Sequence, residues 1–299
     1  MLGLGTALSG GFLGGSGPFS LKLDGTDDHG RAEHHSSLKP TAGLTISTWV
    51  NLDVEHGATG WVNPDGNDDH NEYIISSKRS GGYCIHLQYS GTATNPKTFI
   101  QAEINVTDDG DGDDGYLKPK WGGTSTTSAT SNVPDLHEIK DLSGWVHIAT
   151  TYDGAVAKLY INGSSDLNEG AVDSSGDQTV DSGVTGKAVR YQHNSKVFIG
   201  ASPNSNTGNT TSQPLIGGLV DDVAIWGTAI DAAGITKIYN AGFAGLDLTS
   251  ADGNYDDESD LAAWWRFEEG KGTSVADSSS NSNTLTLINS PSFSENTSE

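Results

Sequence analysis

The sequence contains a single cysteine, Cys84, in 299 residues. One thiol cannot form an intrachain disulfide, so the fold must be stabilised by its core and not by cross-links. Cys84 lies in the strand-like segment Tyr83–Leu87, and the sequence shows no activating base beside it. We therefore interpret Cys84 as an inert, buried core residue and not as a nucleophile.

Basic residues are also scarce, because 16 Lys and Arg stand against 39 Asp and Glu, for a formal net charge of −23. Recognition of a phosphate backbone requires clustered Lys and Arg, so the sequence predicts no nucleic-acid partner. Attraction to an anionic membrane surface is disfavoured for the same reason. A strongly acidic surface instead suits salt-rich solution, where repulsion is screened, and divalent cations.

Long apolar runs are absent, so the sequence predicts no membrane span. The glycine-rich N-terminal segment, residues 1–17, lacks the positively charged start of an ordinary Sec signal peptide. We expect synthesis in the cytoplasm and a final location in a virion or outside the cell, reached by another route. The segment is interpreted either as a flexible tail or as an arm that docks on a neighbouring subunit.

What the sequence does contain is a series of short apolar segments, many of them alternating, separated by Gly, Asn and Asp, which is typical of antiparallel strands. One short helix is predicted over 231–239, with Asp231 as its N-cap. No alternation of strands and helices appears, so the predicted fold class is an all-β, two-sheet antiparallel sandwich. Asp153-Gly154 predicts a two-residue hairpin turn. The predicted strands are Phe19–Leu23, Leu44–Val50, Tyr73–Ser76, Tyr83–Tyr89, Trp145–Tyr152, Ala155–Ile161, Val197–Gly200, Leu219–Trp226, Leu261–Phe267 and Thr284–Ile288.

Five of these motifs follow one another in an order that resembles the laminin-G-like jelly roll of the concanavalin A-like lectin/glucanase superfamily. They run from Leu21–Asp28 through Leu44–Val50, Trp145–Gly163 and Phe198–Gly200 to Gly217–Trp226. The resemblance implies a single sandwich over 18–299, with 247–299 packed on it as a C-terminal extension. It also implies a surface that binds sugars, proteins or calcium.

Hydrolytic chemistry is not supported by the acidic residues. The glucanases of the superfamily carry Glu-x-Asp-x-Glu on one strand, and the nearest match here is Glu258, Asp260 and Ala262. Because the third carboxylate is missing, a two-carboxylate mechanism lacks a partner. We expect no enzymatic activity; a glycoside hydrolase or polysaccharide lyase is the less favoured alternative.

A calcium site is implied by the resemblance, with Asp24 and either Asp221 or Asp222 as its ligands. A second, weaker candidate lies in the acidic segment 108–114, where carboxylates alternate. Its ligands would be Asp109, Asp111 and Asp113. The simpler interpretation is that Asp24 caps a turn and that the other carboxylates are solvated.

Two tryptophans, Trp61 and Trp121, are placed by the sequence in polar loops and are the candidates for ligand contact. The others are expected in the core: Trp49, Trp145, Trp226 and Trp264.

The sequence therefore predicts a non-catalytic surface or adhesion module. The favoured interpretation is a phage virion structural protein, either capsid-decorating or associated with a tail fibre, that binds other virion subunits through its arm and also binds glycans. The alternative is a secreted, calcium-dependent, lectin-like carbohydrate-binding module. Homo-oligomerisation is compatible with both interpretations.

Overall fold

A computed structural model defines the fold for most of the chain. It describes residues 19–52, 70–77, 81–92, 95–106, 115–122, 144–165, 187–191, 196–203, 211–212, 217–242 and 245–295.

The described residues are dominated by β-strands. In chain order the strands are β1 (Phe19–Leu23), β2 (His29–Ala32), β3 (Leu44–Leu52), β4 (His70–Ser76), β5 (Tyr83–Thr92), β6 (Asn95–Val106), β7 (Gly115–Leu117), β8 (Lys120–Gly122), β9 (Trp145–Tyr152), β10 (Ala157–Ile161), β11 (Val197–Ile199), β12 (Ser202–Pro203), β13 (Thr211–Ser212), β14 (Gly218–Trp226), β15 (Leu261–Trp265), β16 (Ser274–Val275), β17 (Leu285–Ile288) and β18 (Ser292–Glu295). The α-helix α1 spans Ala232–Ala241, and short 3-10 helices span Ser36–Leu38 and Glu258–Asp260.

The strands form two antiparallel sheets. The seven-stranded sheet has the order β10-β9-β3-β14-β1-β18, with β15 also paired to β14. The nine-stranded sheet has the order β16-β17-β2-β11-β4-β5-β6-β7, with β8 also paired to β6, and β12 pairs with β13 separately. The predicted all-β, two-sheet sandwich is therefore confirmed.

Alternation along each strand explains the packing between the sheets. Val146, Ile148 and Tyr152 of β9 are all buried in the main core cluster, and Thr150, on the same face, is also buried. Successive side chains of a strand point to opposite faces, so the residues between them face away from the core. The predicted register of this strand is confirmed.

The β9–β10 hairpin differs from the two-residue turn that was predicted. Ala157 pairs with Tyr152, so four residues connect the strands. The Asp153 carboxylate accepts hydrogen bonds from the backbone N–H groups of Ala155 and Val156, at 2.9 and 2.7 Å. Because an Asp side chain readily accepts hydrogen bonds from backbone N–H groups two residues ahead, these bonds stabilise the observed four-residue turn in place of the predicted two-residue turn.

Helix α1 covers part of the outer side of the seven-stranded sheet. Asp231 is confirmed as its N-cap, since its carboxylate accepts a hydrogen bond from Gly234 N at 2.8 Å. Buried Ile235 and Ile238 join Trp226 and Trp264 in a second apolar cluster. These two tryptophans are buried as predicted, but under the helix and not between the sheets.

The other two tryptophans expected in the core also lie outside the main cluster. Trp49 is buried and stacks on Tyr239 of α1. Trp145 is only half-buried. Trp49 precedes core-facing Val50 of β3, and Trp145 precedes core-facing Val146 of β9. Because successive side chains of a strand point to opposite faces, both tryptophans face outward.

The C-terminal segment contributes strands to both sheets. β15 and β18 extend the seven-stranded sheet, whereas β16 and β17 belong to the nine-stranded one. Trp265 and Phe267 are fully buried in the main core. Residues 261–295 are thus part of the sandwich itself. Within the described residues, no helix combines the length and apolarity needed to cross a membrane.

Candidate functional site

The first candidate site is the acidic turn Asp24–Asp28, which joins β1 to β2. One carboxylate oxygen from each of Asp24, Asp27 and Asp28 lies within 4.8 Å of the other two. The turn is held by Asp24 Oδ1, which accepts the backbone N–H of Thr26 at 2.9 Å. The turn begins directly after β1 because Gly25 adopts a left-handed conformation (φ 75°), which ends the strand.

The carboxylates of the acidic turn differ in environment. Backbone N–H groups, that of Thr26 first, lower the pKa of Asp24. Burial raises the pKa of Asp28, and the charge of Asp24 adds to that effect. Asp28 is only 6% exposed, and its Oδ1 is buried without a hydrogen-bond partner among the described residues. A buried, unpaired carboxylate oxygen beside two further carboxylates fits a hard divalent cation, so the turn could bind a metal.

The structure does not bring the other implied calcium ligands to Asp24. Leu23, the residue before Asp24, pairs with Gly218 of β14. Asp221 lies three residues beyond Gly218, which at the rise of a strand is about 10 Å from it. Asp221 is fully buried, and its Oδ1 accepts the N–H of Asp222 at 2.8 Å. Asp222 instead accepts a hydrogen bond from Trp264 Nε1 at 3.0 Å.

The second candidate site is a polar patch on the nine-stranded sheet, on the face turned away from the core. On β6, Ile100, Ala102 and Ile104 belong to the main core, so the alternating polar side chains between them face outward. Cross-strand pairing places Cys84 opposite Glu103 and His86 opposite both Gln101 and Tyr73. We call this set the polar face; its members are Tyr73, Cys84, His86, Gln101, Glu103 and Asn105.

Hydrogen bonds connect part of the polar face. Gln101 Nε2 donates to Glu103 Oε1 at 2.8 Å, and Lys118 Nζ lies 3.8 Å from the same oxygen. Cys84 Sγ lies 3.4 Å from His86 Nδ1, so the thiol is buried as predicted but faces away from the core. The Tyr73 ring packs edge-on against His86, with ring centroids 5.2 Å apart.

Two carboxamides of the polar face are not satisfied. Gln101 and Asn105 are 1% and 0% exposed. Gln101 Oε1 and both polar atoms of the Asn105 amide have no hydrogen-bond partner among the described residues. Leaving a buried polar group unpaired costs about 1–3 kcal/mol, so such groups normally contact a ligand, an ion or an ordered water. These atoms therefore have hydrogen-bonding capacity that the described residues leave unused.

The sequence interpretation missed the polar face because β6 was not recognised as a strand. The signal was present, since Ile100, Ala102, Ile104 and Val106 alternate with polar residues. The pairing with β5, which brings His86 to Gln101, is a long-range contact that one segment cannot reveal.

The remaining predicted site residues fall in other places. Asp109, Asp111, Asp113 and Trp61 lie outside the described residues, so they stay predictions. Trp121 lies in strand β8, paired with Ile100 of β6. It was predicted in a loop, but the Lys120–Gly122 segment pairs with β6 as a short strand.

The acidic residues compared with the glucanase motif do not form a row on a strand. Glu258 and Asp260 belong to a 3-10 helix, and Ala262 lies in the strand that follows. The side chains of these residues therefore cannot alternate along one strand face as the motif requires.

A family profile for the concanavalin A-like lectin/glucanases matches residues 24–236. The chain belongs to the concanavalin A-like lectin/glucanases superfamily. Its laminin-G-like resemblance is thereby confirmed. No curated protein matches the sequence.

Solved structures similar to this superfamily member share little sequence with it. The match to a candidate carbohydrate-binding protein from Bacteroides ovatus ATCC 8483 has 15% identity and a TM-score of 0.50, and covers 94% of this chain and 60% of that one. A heptameric SAP-like pentraxin from Limulus polyphemus matches with 12% identity and a TM-score of 0.47, over 94% and 98%. A tailspike domain of Bacteriophage CBA120 matches with 13% identity and a TM-score of 0.37, over 89% and 35%. At such identities the likeness concerns the fold alone.

Proposed function

We propose that the protein is a non-catalytic surface module that binds glycans on the polar face of its nine-stranded sheet. The observation that carries this proposal is the pair of buried carboxamides, Gln101 and Asn105, whose polar atoms have no partner among the described residues. Sugar hydroxyls both donate and accept hydrogen bonds, as a carboxamide does, so they would satisfy both groups. The lectin-type fold supports the same class of ligand.

Binding without hydrolysis is supported by the composition of the polar face. Glu103 is the one carboxylate among its six side chains, and it already accepts a hydrogen bond from Gln101. Glycoside hydrolysis ordinarily uses two carboxylates about 5–9.5 Å apart, one as acid and one as base or nucleophile. The amides at the neighbouring outward positions can orient a sugar but cannot exchange a proton with it.

A glycan array with the full-length chain tests the proposal. We expect binding to a restricted group of glycans, lost when Gln101→Met and Asn105→Leu are combined. Replacing unsatisfied buried amides by apolar groups of similar shape is nearly neutral or stabilising, so the variant should melt no lower than the wild type. Thr286→Val, an exposed site at the far end of the same sheet, is the control and should bind normally. A flat array for the wild type would refute the proposal.

We also propose that calcium binds at the acidic turn and stabilises the fold. The supporting observation is the buried, unpaired Oδ1 of Asp28 beside Asp24 and Asp27. A ligand that binds only the native state raises the melting temperature. Calcium should therefore raise Tm relative to EDTA, and Asp28→Asn should abolish this rise. Asp109→Asn, in the alternative acidic segment, should leave it unchanged; the opposite pattern would move the site there.

Attachment to a virion is proposed on the sequence of residues 1–17, which lie outside the described residues. The apolar side chains of this glycine-rich segment would bind a neighbouring subunit. Light scattering of the whole chain and of a chain lacking 1–17 tests this role. If deletion leaves the assembly state unchanged, the arm does not dock.

A further inference from the structure

Cys84 and His86 form a close pair on the polar face. They are two positions apart on β5, so their side chains share one face of the strand. Cys84 Sγ lies 3.4 Å from His86 Nδ1, and both residues are fully buried. Ile85, between them, belongs to the main core. Packing within the core therefore does not explain the position of this thiol, which lies on the opposite side of the sheet.

The spacing of the pair suits two neighbouring ligands of one metal ion. A tetrahedral zinc ion has bonds of about 2.3 Å to sulfur and about 2.0 Å to imidazole nitrogen, which places these two ligand atoms about 3.5 Å apart. The observed 3.4 Å matches this separation. A thiolate and an imidazole are also the ligand types that favour zinc and related cations over calcium.

The strands around β5 hold the pair in place. β5 is paired with β4 on one side and with β6 on the other, so its backbone is fixed from both edges. The Tyr73 ring of β4 packs edge-on against His86, with ring centroids 5.2 Å apart, and this contact orients the imidazole. Such support matters because metal affinity depends on the groups that orient the ligands.

The charges beside the pair favour a cation. Glu103 of β6 stands directly opposite Cys84 in the register. Its Oε1 accepts a hydrogen bond from Gln101 Nε2 at 2.8 Å, and Lys118 Nζ lies 3.8 Å from the same oxygen. Once Cys84 is a thiolate, two negative charges stand against the single positive charge of Lys118. The excess negative charge attracts a divalent cation.

Two amides next to the pair indicate a polar occupant. Gln101 stands directly opposite His86, and Asn105 is the next outward residue of β6 after Glu103. Gln101 Oε1 and both amide atoms of Asn105 are buried without a partner among the described residues. An ion held by two protein ligands completes its coordination with water. Such water, or a sugar hydroxyl in its place, would donate hydrogen bonds to these amide oxygens.

We propose that Cys84 and His86 bind a divalent cation of the zinc class on the polar face. On binding, the S–H bond breaks, the sulfur shares the electron pair with the ion, and the proton passes to solvent. His86 binds through the lone pair of Nδ1, with its ring proton on Nε2. The acidic turn offers only oxygen ligands, which suit calcium, so the two sites differ in chemistry. The cation site depends on neither calcium nor glycan binding.

Cobalt(II), which occupies zinc sites and absorbs visible light, tests the proposal on the full chain. The protein is equilibrated with Co²⁺ in a non-thiol reductant and excess Ca²⁺, which occupies carboxylate sites. We expect an equimolar amount of Co²⁺ to produce thiolate-to-cobalt charge-transfer absorption, which Zn²⁺ then removes. Because the thiol loses its proton, the apparent affinity should rise between about pH 6 and about pH 8.

Two substitutions at the pair are compared with two controls. Cys84→Ala should abolish the charge-transfer absorption, and His86→Gln should weaken cobalt binding by at least about tenfold. His34→Gln, at an exposed site, and Asp28→Asn, in the acidic turn, should bind Co²⁺ as the wild type does. None of these measurements involves a sugar, so their outcome is separate from that of the glycan array.

Absence of the charge-transfer absorption in the folded wild type would overturn the proposal. Unchanged affinity in His86→Gln would overturn it too, since the thiol would then bind the ion alone. Should either variant at the pair fail to fold, cadmium NMR of the wild type decides. A cadmium chemical shift typical of mixed sulfur and nitrogen ligands is expected, and a shift typical of oxygen ligands alone would refute the site.

Discussion

His147 illustrates how a single residue of this fold depends on its surroundings. The ring is fully buried and shares a 2.8 Å hydrogen bond with Ser47 Oγ through Nε2. It packs beside the stacked rings of Trp49 and Tyr239, with centroids 5.1 and 6.0 Å away. Burial lowers the pKa of His147 to about 3. The fold thus requires a neutral imidazole, which the unfolded chain does not.

The predicted consequence is acid sensitivity. Unfolded His147 gains a proton near pH 6.5 and the folded residue does not, so stability is present above pH 6.5 and is lost as the pH falls below it. The loss should approach 1.4 kcal/mol per pH unit, roughly. Urea unfolding at pH 7, 5.5 and 4.5 measures it. In His147→Gln the free energy of unfolding should depend less on pH, whereas His34→Gln, at an exposed site, should behave as the wild type does. The same pH dependence in the wild type and both variants would contradict the prediction.

Among single residues, the burial of Cys84 was predicted and is confirmed, whereas Asp24 as a metal ligand stays a prediction. The sequence could not identify Asp27 and Asp28 as the neighbours of Asp24, because the tight path of one turn decides that proximity. The unsatisfied amides of Gln101 and Asn105 were equally out of reach, since burial of an outward polar residue depends on the whole fold.

Helix α1 shows how one element is positioned by close backbone contact. A Cβ added to Gly163 would lie 2.7 Å from Tyr239 Cδ1, and Gly163 has φ 77°. Thr236 Oγ1 of the helix also donates to Gly163 O, at 3.1 Å. The turn after β10 therefore needs glycine both for its conformation and for the approach of the helix.

Gly163→Ala should accordingly destabilise the fold through two effects. The left-handed conformation costs about 1–2 kcal/mol for alanine, and the collision with Tyr239 adds about 1–3 kcal/mol. Gly253→Ala separates them, because Gly253 has φ 66° and nothing within 4 Å of the added Cβ. Chemical denaturation of both variants measures the difference. Equal losses would show that Tyr239 moves aside freely.

At the scale of elements, long alternating strands were predictable and short ones were not. β3 and β9 appear in the sequence because eight or nine residues establish a period of two. β16, with two residues, and β2, with the sequence HGRA, are too short to show one. The irregularity at Asp222, where the ladder between β14 and β3 shifts register, was unpredictable for another reason, since it arises from the pairing of β14 with three other strands.

The whole molecule carries a formal net charge of −23. Such a charge destabilises the compact state through self-repulsion, and salt screens it. Raising NaCl from about 0.05 M to about 0.5 M should therefore raise Tm by several degrees. Scanning calorimetry in buffer with EDTA measures the effect apart from calcium. A Tm that falls or stays constant over this range would contradict the prediction.

The sandwich as a whole extends beyond the part that matches the superfamily. The match ends at residue 236, yet β15 to β18 complete both sheets. The two-sheet architecture was predictable from ordered motifs, because each motif specifies a buried face. The contribution of the last strands to both sheets was not, since pairing between chain ends has no local signal.

We propose that the polar face binds a glycan without cleaving it. Isothermal titration with a glycan selected from the array, followed by chromatography of the recovered sugar, tests this most directly. We predict saturable binding that is lost in the Gln101→Met, Asn105→Leu variant, with the glycan recovered intact. Unchanged binding by that variant would contradict glycan binding at the polar face. Recovery of shortened sugar that depends on Glu103 would contradict binding without cleavage.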